Sequence, residues 1–420
     1  MGMTESATNE AGWRGPLAGV KVLDFTRVLA GPFATQILGD LGAEIFKVEP
    51  PGSGDETRNF PPHRAGESHY FVAINRSKKS IVVDLRREEG QQIIRDFIPH
   101  IDIVIENYRP GVLDKFGLGY QALSAINPRL IYCAISGFGL TGPMRDKPSF
   151  DIVTQALTGA MSVNGEAGGL GVKLGLPMGD LVGGVFGPIA ALAALYERNV
   201  TGRGRLIDVS LYDGLIGMLA YLPQLAFFTG RDPAPMGNSH PNVVPYRAYE
   251  ASDGAILIAC LTQGFWAKLM QAIGRPELGE APEYSSMENR RDNRETIDGI
   301  ISEAIAKRTV AEWDRILEAF DVPHAPILGI QAALSHPQAE AREMVVTTQH
   351  STLGPLKLVG RPIKFPGSPQ EPLAPPPTLG QHTTEILREE LDYSPERIET
   401  LRQTGVIDNV DPPVAPLRSG

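Results

Sequence analysis

At 420 residues the chain is too long for one ordinary hydrophobic core, so two or three domain-sized units are expected. Its 42% hydrophobic and 21% charged residues are those of a soluble globular protein, and a formal charge of −10 excludes a general nucleic-acid binder. The two cysteines, Cys133 and Cys260, lie in apolar strand-like runs and read as buried thiols of a reducing, cytoplasmic compartment. The eight histidines include no pair at metal-ligand spacing, so no metal site is expected.

The N-terminal MGMTESATNEAG has no apolar signal core and reads as a disordered tail; MGMTES fits the loose myristoylation pattern, which is too short to carry weight. VKVLDF (20–25) then predicts a strand, FATQILGDLG (33–42) a helix and AEIFKVEP (43–50) a second strand. The alternation continues with SIVVDL (80–85), REEGQQIIRDFIPH (87–100), IDIVIENY (101–108) and LIYCAISGFG (130–139). Continuous apolar strands between helices indicate an α/β fold, a Rossmann-like parallel sheet covered on both faces.

VFGPIAALAALYERN (185–199) predicts a buried helix, RLIDVSL (205–211) a further strand and 212–228 one apolar helix. The longest apolar run, 215–228, is too short for a membrane span and contains Pro223 and Gln224, so no membrane partner is expected. The Gly-, Pro- and Asn-rich stretch 228–242 marks a boundary, and Asp253-Gly254 between two strand-like runs marks a hairpin in a smaller α+β unit. Residues 355–377 hold eight prolines and read as an extended connector before a helical C-terminus. The division expected is a large domain of 15–210 and 355–420, linkers at 211–228 and 336–354, and a small domain of 229–335.

Three constellations bear on chemistry. The first strand–helix turn, TRVLAGP (26–32), lacks G-x-G-x-x-G, so Glu49 at the end of the second strand is a false friend for dinucleotide binding. Arg76, Lys78, Lys79, Arg86, Arg109 and Lys115 cluster at strand ends and loops; they are either solvated or the cradle of a polyanion beyond the strand C-termini. In LPMGDLVGG (176–184), Asp180 stands alone among small and apolar residues. An Asp before a helix is a favoured N-cap worth ~1 kcal/mol, whereas the nearby Gly183, Gly184 and Gly187 each weaken a helix by about 1 kcal/mol and leave room at the backbone. A helix start also favours an ionised carboxylate, as a nucleophile requires. Cap and nucleophile both remain open on these grounds.

The chain resembles the class III CoA-transferase family, which includes formyl-CoA:oxalate and carnitine CoA-transferases and the α-methylacyl-CoA racemases. The resembling pieces are GVKVLDFTRVLAGPFATQILGDLGAEIFKVEPPGSGDETR (19–58), NRSKKSIVVDL (75–85), IENYRPGVLDKFGLGY (105–120), SGFGLTGP (136–143) and PMGDLVGG (177–184). They continue in family order with TGRGRLIDVSLYD (201–213), GNSHPNVVPYRAYEASDG (237–254) and PPPTLGQHTTEIL (375–387). The resemblance implies an interlocked homodimer, a coenzyme A thioester as substrate with no permanently bound cofactor, and a catalytic aspartate that falls on Asp180. It implies a mixed anhydride and then an aspartyl-CoA thioester on that residue. The family's CoA contacts fall on Leu29, Ala30, Val83, Arg86, Asn107, Tyr108, Arg109, Lys115 and Lys147. Gly183 and Gly184 are expected to offer amides to oxyanions, and His240, in a small-domain loop expected to face Asp180, is a candidate substrate contact.

Departures from the pattern refine the expectation. Leu29 stands where the formyl-CoA enzymes carry Gln, which argues against oxalate, and Pro50 replaces their adenosine-end Arg. Phe150 occupies the position of the racemases' histidine, so a proton shuttle lacks its base. TRVLAGPFAT, GDLGAE and the PYRAY-DG segment resemble most the branch that moves CoA from succinyl-CoA to dicarboxylic acids. Racemisation, or a non-catalytic CoA-binding subunit beside an active paralogue, are the alternatives.

Overall fold

The computed structural model of the protein describes residues 15–367 and 371–407; the MGMTES pattern lies outside them. Six parallel strands form the main sheet: β1 (Lys21–Asp24), β2 (Glu44–Glu49), β3 (Lys78–Val82), β4 (Ile103–Glu106), β5 (Ile131–Ser136) and β6 (Leu206–Ser210), in the spatial order β3-β2-β1-β4-β5-β6. The order reverses between β1 and β4, and such a switch point opens a crevice beyond the strand C-termini.

Seven helices of the same unit are α1 (Ala30–Asp40), α2 (His69–Ile74), α3 (Glu88–Phe97), α4 (Tyr120–Ile126), α5 (Asp151–Leu157), α6 (Met178–Thr201) and α7 (Leu211–Met218). Alternate strand residues face opposite sides. Leu23, Phe46, Val104 and Tyr132 pack with α3 and the C-terminal helices, while Val22, Ile45, Ile103 and Cys133 pack with α1 and α6. Burial on both faces is why these strands read as apolar runs with little alternation.

α6 is itself long and apolar enough to cross a membrane, yet its Gly183, Gly184, Gly187 and Ala191 face is buried against α1, β5 and α7. A Cβ on Gly184 would lie 2.9 Å from the Ala30 carbonyl oxygen and 2.8 Å from the Phe33 ring. One on Gly183 would meet Leu211 at 2.4 Å and Ile135 at 3.2 Å. These glycines let helices and sheet approach closely, which accounts for the helix propensity they forgo.

The described residues form two compact units, one drawn from 15–160, 174–223, 340–367 and 371–407, the other from 161–173 and 224–339. The boundaries differ from those read in sequence. Residues 211–223 join the first unit because α7 buries Leu211 and Leu215 there. The apolar stretch expected as one helix over 212–228 is two, 211–218 and 222–229, interrupted at Ala220, whose φ is +54°. Residues 354–359 are also not a plain connector. They pair antiparallel with 345–350, and alternating Leu356 and Leu358 pack on Val72. Pro355 is the second residue of this strand, an edge of its two-stranded sheet, where a missing N–H is tolerated. In the second unit, strands 246–251 and 254–259 form the expected hairpin, joined by 324–326, over a core centred on Trp266, Ile301 and Leu317.

Beneath the β1–α1 turn lies a buried charge network. Asp24 pairs with Lys78 at 3.1 Å and accepts from Thr35 Oγ1 at 2.6 Å. Lys47 pairs with Asp55 at 2.9 Å and donates to the Thr26 carbonyl at 2.7 Å. Glu49 accepts two guanidinium hydrogen bonds from Arg58, both 2.7 Å. Burial pulls the Lys78 ammonium down to about 8 against the opposing pull of Asp24, and burial of Glu49 is outweighed by Arg58, which holds its carboxyl low. Arg76 is buried on Asp40, and Lys79 pairs with Glu44 and Glu385. The NRSKKS cations therefore serve the fold and form no anion cradle.

Removing one member of a buried pair strands the other. Lys78→Met should cost about 3–5 kcal/mol in a denaturant melt; a stability unchanged from the parent would mean Asp24 is not held as the geometry implies. Gly184→Val should cost about 1–3 kcal/mol by forcing α1 from α6, read as a lower melting temperature in the same assay.

Candidate active site

The β1–α1 turn is the first wall of the site. Asn107, just past β4, accepts the Arg27 N–H at 2.9 Å and donates to the Arg27 carbonyl at 2.8 Å, closing the turn from eighty residues away. Val28 is held at φ +64°, a costly conformation for a β-branched residue, with its N–H on Asp55 at 3.3 Å. Strain of this kind persists because the surrounding bonds over-determine it. The turn thus presents Arg27, Leu29 and Ala30 in fixed positions.

These residues line a cavity of about 630 Å³ at the switch point, with Asn107, Tyr108 and Arg109 after β4, Ser136 to Phe138 after β5, and Asp180 at the start of α6. Lys147 and Arg145 stand on its rim, and the Arg27 guanidinium lies 4.8 Å over the Tyr108 ring while pairing with Glu56 at 2.6 Å. Most of the wall is apolar, with cations at the edge, a shape suited to a long ligand with an anionic end.

Asp180 is the third residue of α6, and Pro177 holds the N-cap position without a side-chain bond. The cap reading of Asp180 gives way, since Asp151 of α5 does that work: its Oδ1 accepts the Gly179 N–H at 2.7 Å. The Asp180 carboxylate accepts no hydrogen bond among the described residues. A helix start favours its charge, but burial and then the Asp151 charge prevail and push it up to about 7. Burial, followed by the carboxylates of Asp180, Asp55 and Asp151, also raises Tyr70 on α2, so its phenol stays a proton donor.

Of the residues singled out from sequence, Leu29, Ala30, Asn107, Tyr108, Arg109, Lys147 and Asp180 come together in this cavity. Val83 is instead buried in the core on the α3 side. Arg86 is 79% exposed and pairs with Asp84, and Lys115 is exposed; neither lines the cavity. Gly183 and Gly184 sit in the packed α6 interface. His240, in the second unit, accepts the N–H groups of Asn242 and Val243 on Nδ1, both at 3.1 Å, and so staples its own turn.

Sequence reasoning passed over Arg27, Glu56, Phe60 and Arg145 on the cavity wall. It singled out Phe150, at the position of the racemases' histidine, and gave no role to the adjacent Asp151. No local signal marks its role: α6 starts after Pro177 without a capping side chain of its own, and the cap comes from twenty-eight residues away. Phe150 is 75% exposed at the cavity, and among the described residues no imidazole lines it.

The chain matches the model of CoA-transferase family III over residues 17–383. It is 37% identical over 94% of its length to human succinyl-CoA:glutarate CoA-transferase, covering 90% of that protein. It is 38% identical over 87% of its length to the acetyl-CoA:oxalate CoA-transferase of Acetobacter aceti, covering 92% of it. A CAIB/BAIF family protein from Brucella suis, of known crystal structure, superposes with a TM-score of 0.82 at 36% identity, over 90% of this chain and all of that one. The chain belongs to CoA-transferase family III and is an enzyme that moves CoA between an acyl-CoA and a carboxylic acid.

Proposed function

We propose that the protein transfers CoA from succinyl-CoA to a dicarboxylic acid, with Asp180 as covalent nucleophile. The observation that carries this reading is an unpartnered carboxylate, Asp180, on the wall of the cavity lined by Leu29, Ala30, Asn107 to Arg109 and Lys147. Two relatives named for glutarate and oxalate, both dicarboxylates, support the acceptor class; the second tempers the argument against oxalate drawn from Leu29. The same reading takes an interlocked cytoplasmic homodimer as the working form, on the strength of the family resemblance.

An Asp180 oxygen attacks the thioester carbon of succinyl-CoA; the carbon–sulfur bond breaks and CoA thiolate leaves a mixed anhydride. The thiolate then attacks the Asp180 carbonyl carbon, releasing succinate and leaving an aspartyl-CoA thioester. The acceptor carboxylate attacks that thioester, displacing the thiolate, which finally attacks the acceptor's carbonyl and frees Asp180. One thioester is exchanged for another, so the group-transfer energy is conserved and the protein's task is to split the exchange and exclude water. Arg27, Arg109, Arg145 and Lys147 offset the charge that accumulates as two anionic substrates meet a carboxylate.

Asp180→Ala should abolish exchange of labelled CoA between succinyl-CoA and glutarate, and hydroxylamine added during turnover should modify the parent at Asp180 alone. Normal turnover by the alanine variant would refute the covalent route. Because the nucleophile must be ionised and titrates near 7, kcat/KM for succinyl-CoA should fall about tenfold per pH unit below that value and level off above it. Asp151→Asn removes a neighbouring negative charge and should move this limb to lower pH; a limb that stays in place would show that Asp151 does not set it.

A further inference from the structure

Gln155 is fully buried on α5, one helical turn from Asp151. Its Nε2 donates to Asp151 Oδ2 at 2.7 Å, and its Oε1 accepts the N–H of Leu174 at 2.8 Å, where the chain re-enters this unit. The Asp151 carboxylate is thereby divided: Oδ2 is held by Gln155 and Oδ1 receives the Gly179 N–H, the residue before Asp180. Close packing leaves this joint no slack. A Cβ on Gly179 would lie 2.6 Å from Thr154 Oγ1 and 3.1 Å from Asp151 Oδ1. One amide side chain thus ties the segment entering α6 to the carboxylate that caps it. A buried polar group so completely used constrains orientation, because each alternative rotamer abandons bonds that water cannot replace.

We propose that Gln155 is a positioning residue of the transfer reaction: through Asp151 it fixes the first turn of α6 and so the place and direction from which Asp180 attacks. The inference rests on Asp180 being the nucleophile. Transfer needs the one Asp180 carboxyl group to meet the donor through an oxygen and then the thiolate and the acceptor at its carbonyl carbon, and misplacement by about 1 Å can cost 10²-fold. Gln155 touches none of the reacting atoms, so its effect belongs in kcat and leaves CoA capture unchanged.

The test compares Gln155→Glu with the parent, using succinyl-CoA and glutarate between about pH 6 and 9. The substitution keeps the shape and the acceptor for Leu174, but the new carboxyl once ionised has no proton for Asp151 and repels it. The titratable groups on the elements packed against α5 are Asp180 at the start of α6 and Tyr212 and Asp213 on α7, with Tyr70 on α2 sensing the Asp151 charge and Lys173 adjoining Leu174 in the chain. The parent's own acid limb is removed by taking the ratio of variant to parent at each pH. At about pH 8 the variant's kcat should be roughly tenfold or more lower, with KM for succinyl-CoA within about twofold. The deficit should shrink as pH falls and the introduced carboxylate regains a donor proton. An unchanged kcat, or a deficit independent of pH, would overturn the proposal.

A second arm places Gln155→Leu in the parent and in Asp151→Asn. If Gln155 acts through Asp151, its loss costs much less in the second background; losses that multiply independently would also overturn the proposal. Asp180→Ala separates the two readings. Activity in that variant refutes the nucleophile itself, whereas its inactivity beside unaffected Gln155 variants refutes only the positioning role.

Discussion

The site depends on charges buried where water cannot reach them. Lys47 and Lys78 enter the sheet from its strands and end under the β1–α1 turn, one on Asp55 and the Thr26 carbonyl, the other on Asp24. Ions taken out of water are stabilising only when their partners are well placed. Any movement of the turn would therefore leave a charge uncompensated. Asn107 adds a neutral lock from across the switch point, and together these bonds hold Val28 in a conformation it would not adopt alone. A strained turn and a buried ion network are two aspects of one arrangement.

Around that arrangement the sheet supplies order and the glycines supply proximity. Strands β1, β4 and β5 end side by side, so the turns after them meet without long insertions. The glycine face of α6 allows its first turn to approach Ala30 and Phe33 closely, which brings Asp180 to the same cavity as Leu29. Asp180 is thus placed by backbone approach, and its charge is governed separately, by burial and by Asp151.

Much of this was legible in the sequence, for identifiable reasons. Strands buried on both faces announce themselves as apolar runs, and the hairpin at Asp253-Gly254 has a local turn signal. The lone acid in LPMGDLVGG attracts attention because its neighbours are so small. The roles of the lysines were not legible. A charge within an apolar strand reads the same whether it ends in solvent or on a carboxylate supplied by another segment, as Lys78 does on Asp24, fifty-four residues away. The role of the glycines was inverted for a related reason: room at a backbone looks alike in sequence whether a ligand or a helix fills it. The capping of α6 by Asp151 joins residues twenty-eight positions apart and lies beyond any local pattern.

The charges of the molecule fall into two classes that respond differently to ionic strength. Asp24, Lys47, Glu49 and Lys78 are sealed from solvent, and mobile ions screen buried pairs poorly. Arg27 and Glu56 on the cavity wall are nearly half exposed, and Arg145 and Lys147 on its rim are exposed, so salt weakens their fields within about 8–10 Å. Added salt therefore acts on the field at the cavity's edge and leaves the shape of the cavity unaltered. The enzyme separates the electrostatics of its cavity mouth from the electrostatics of its form.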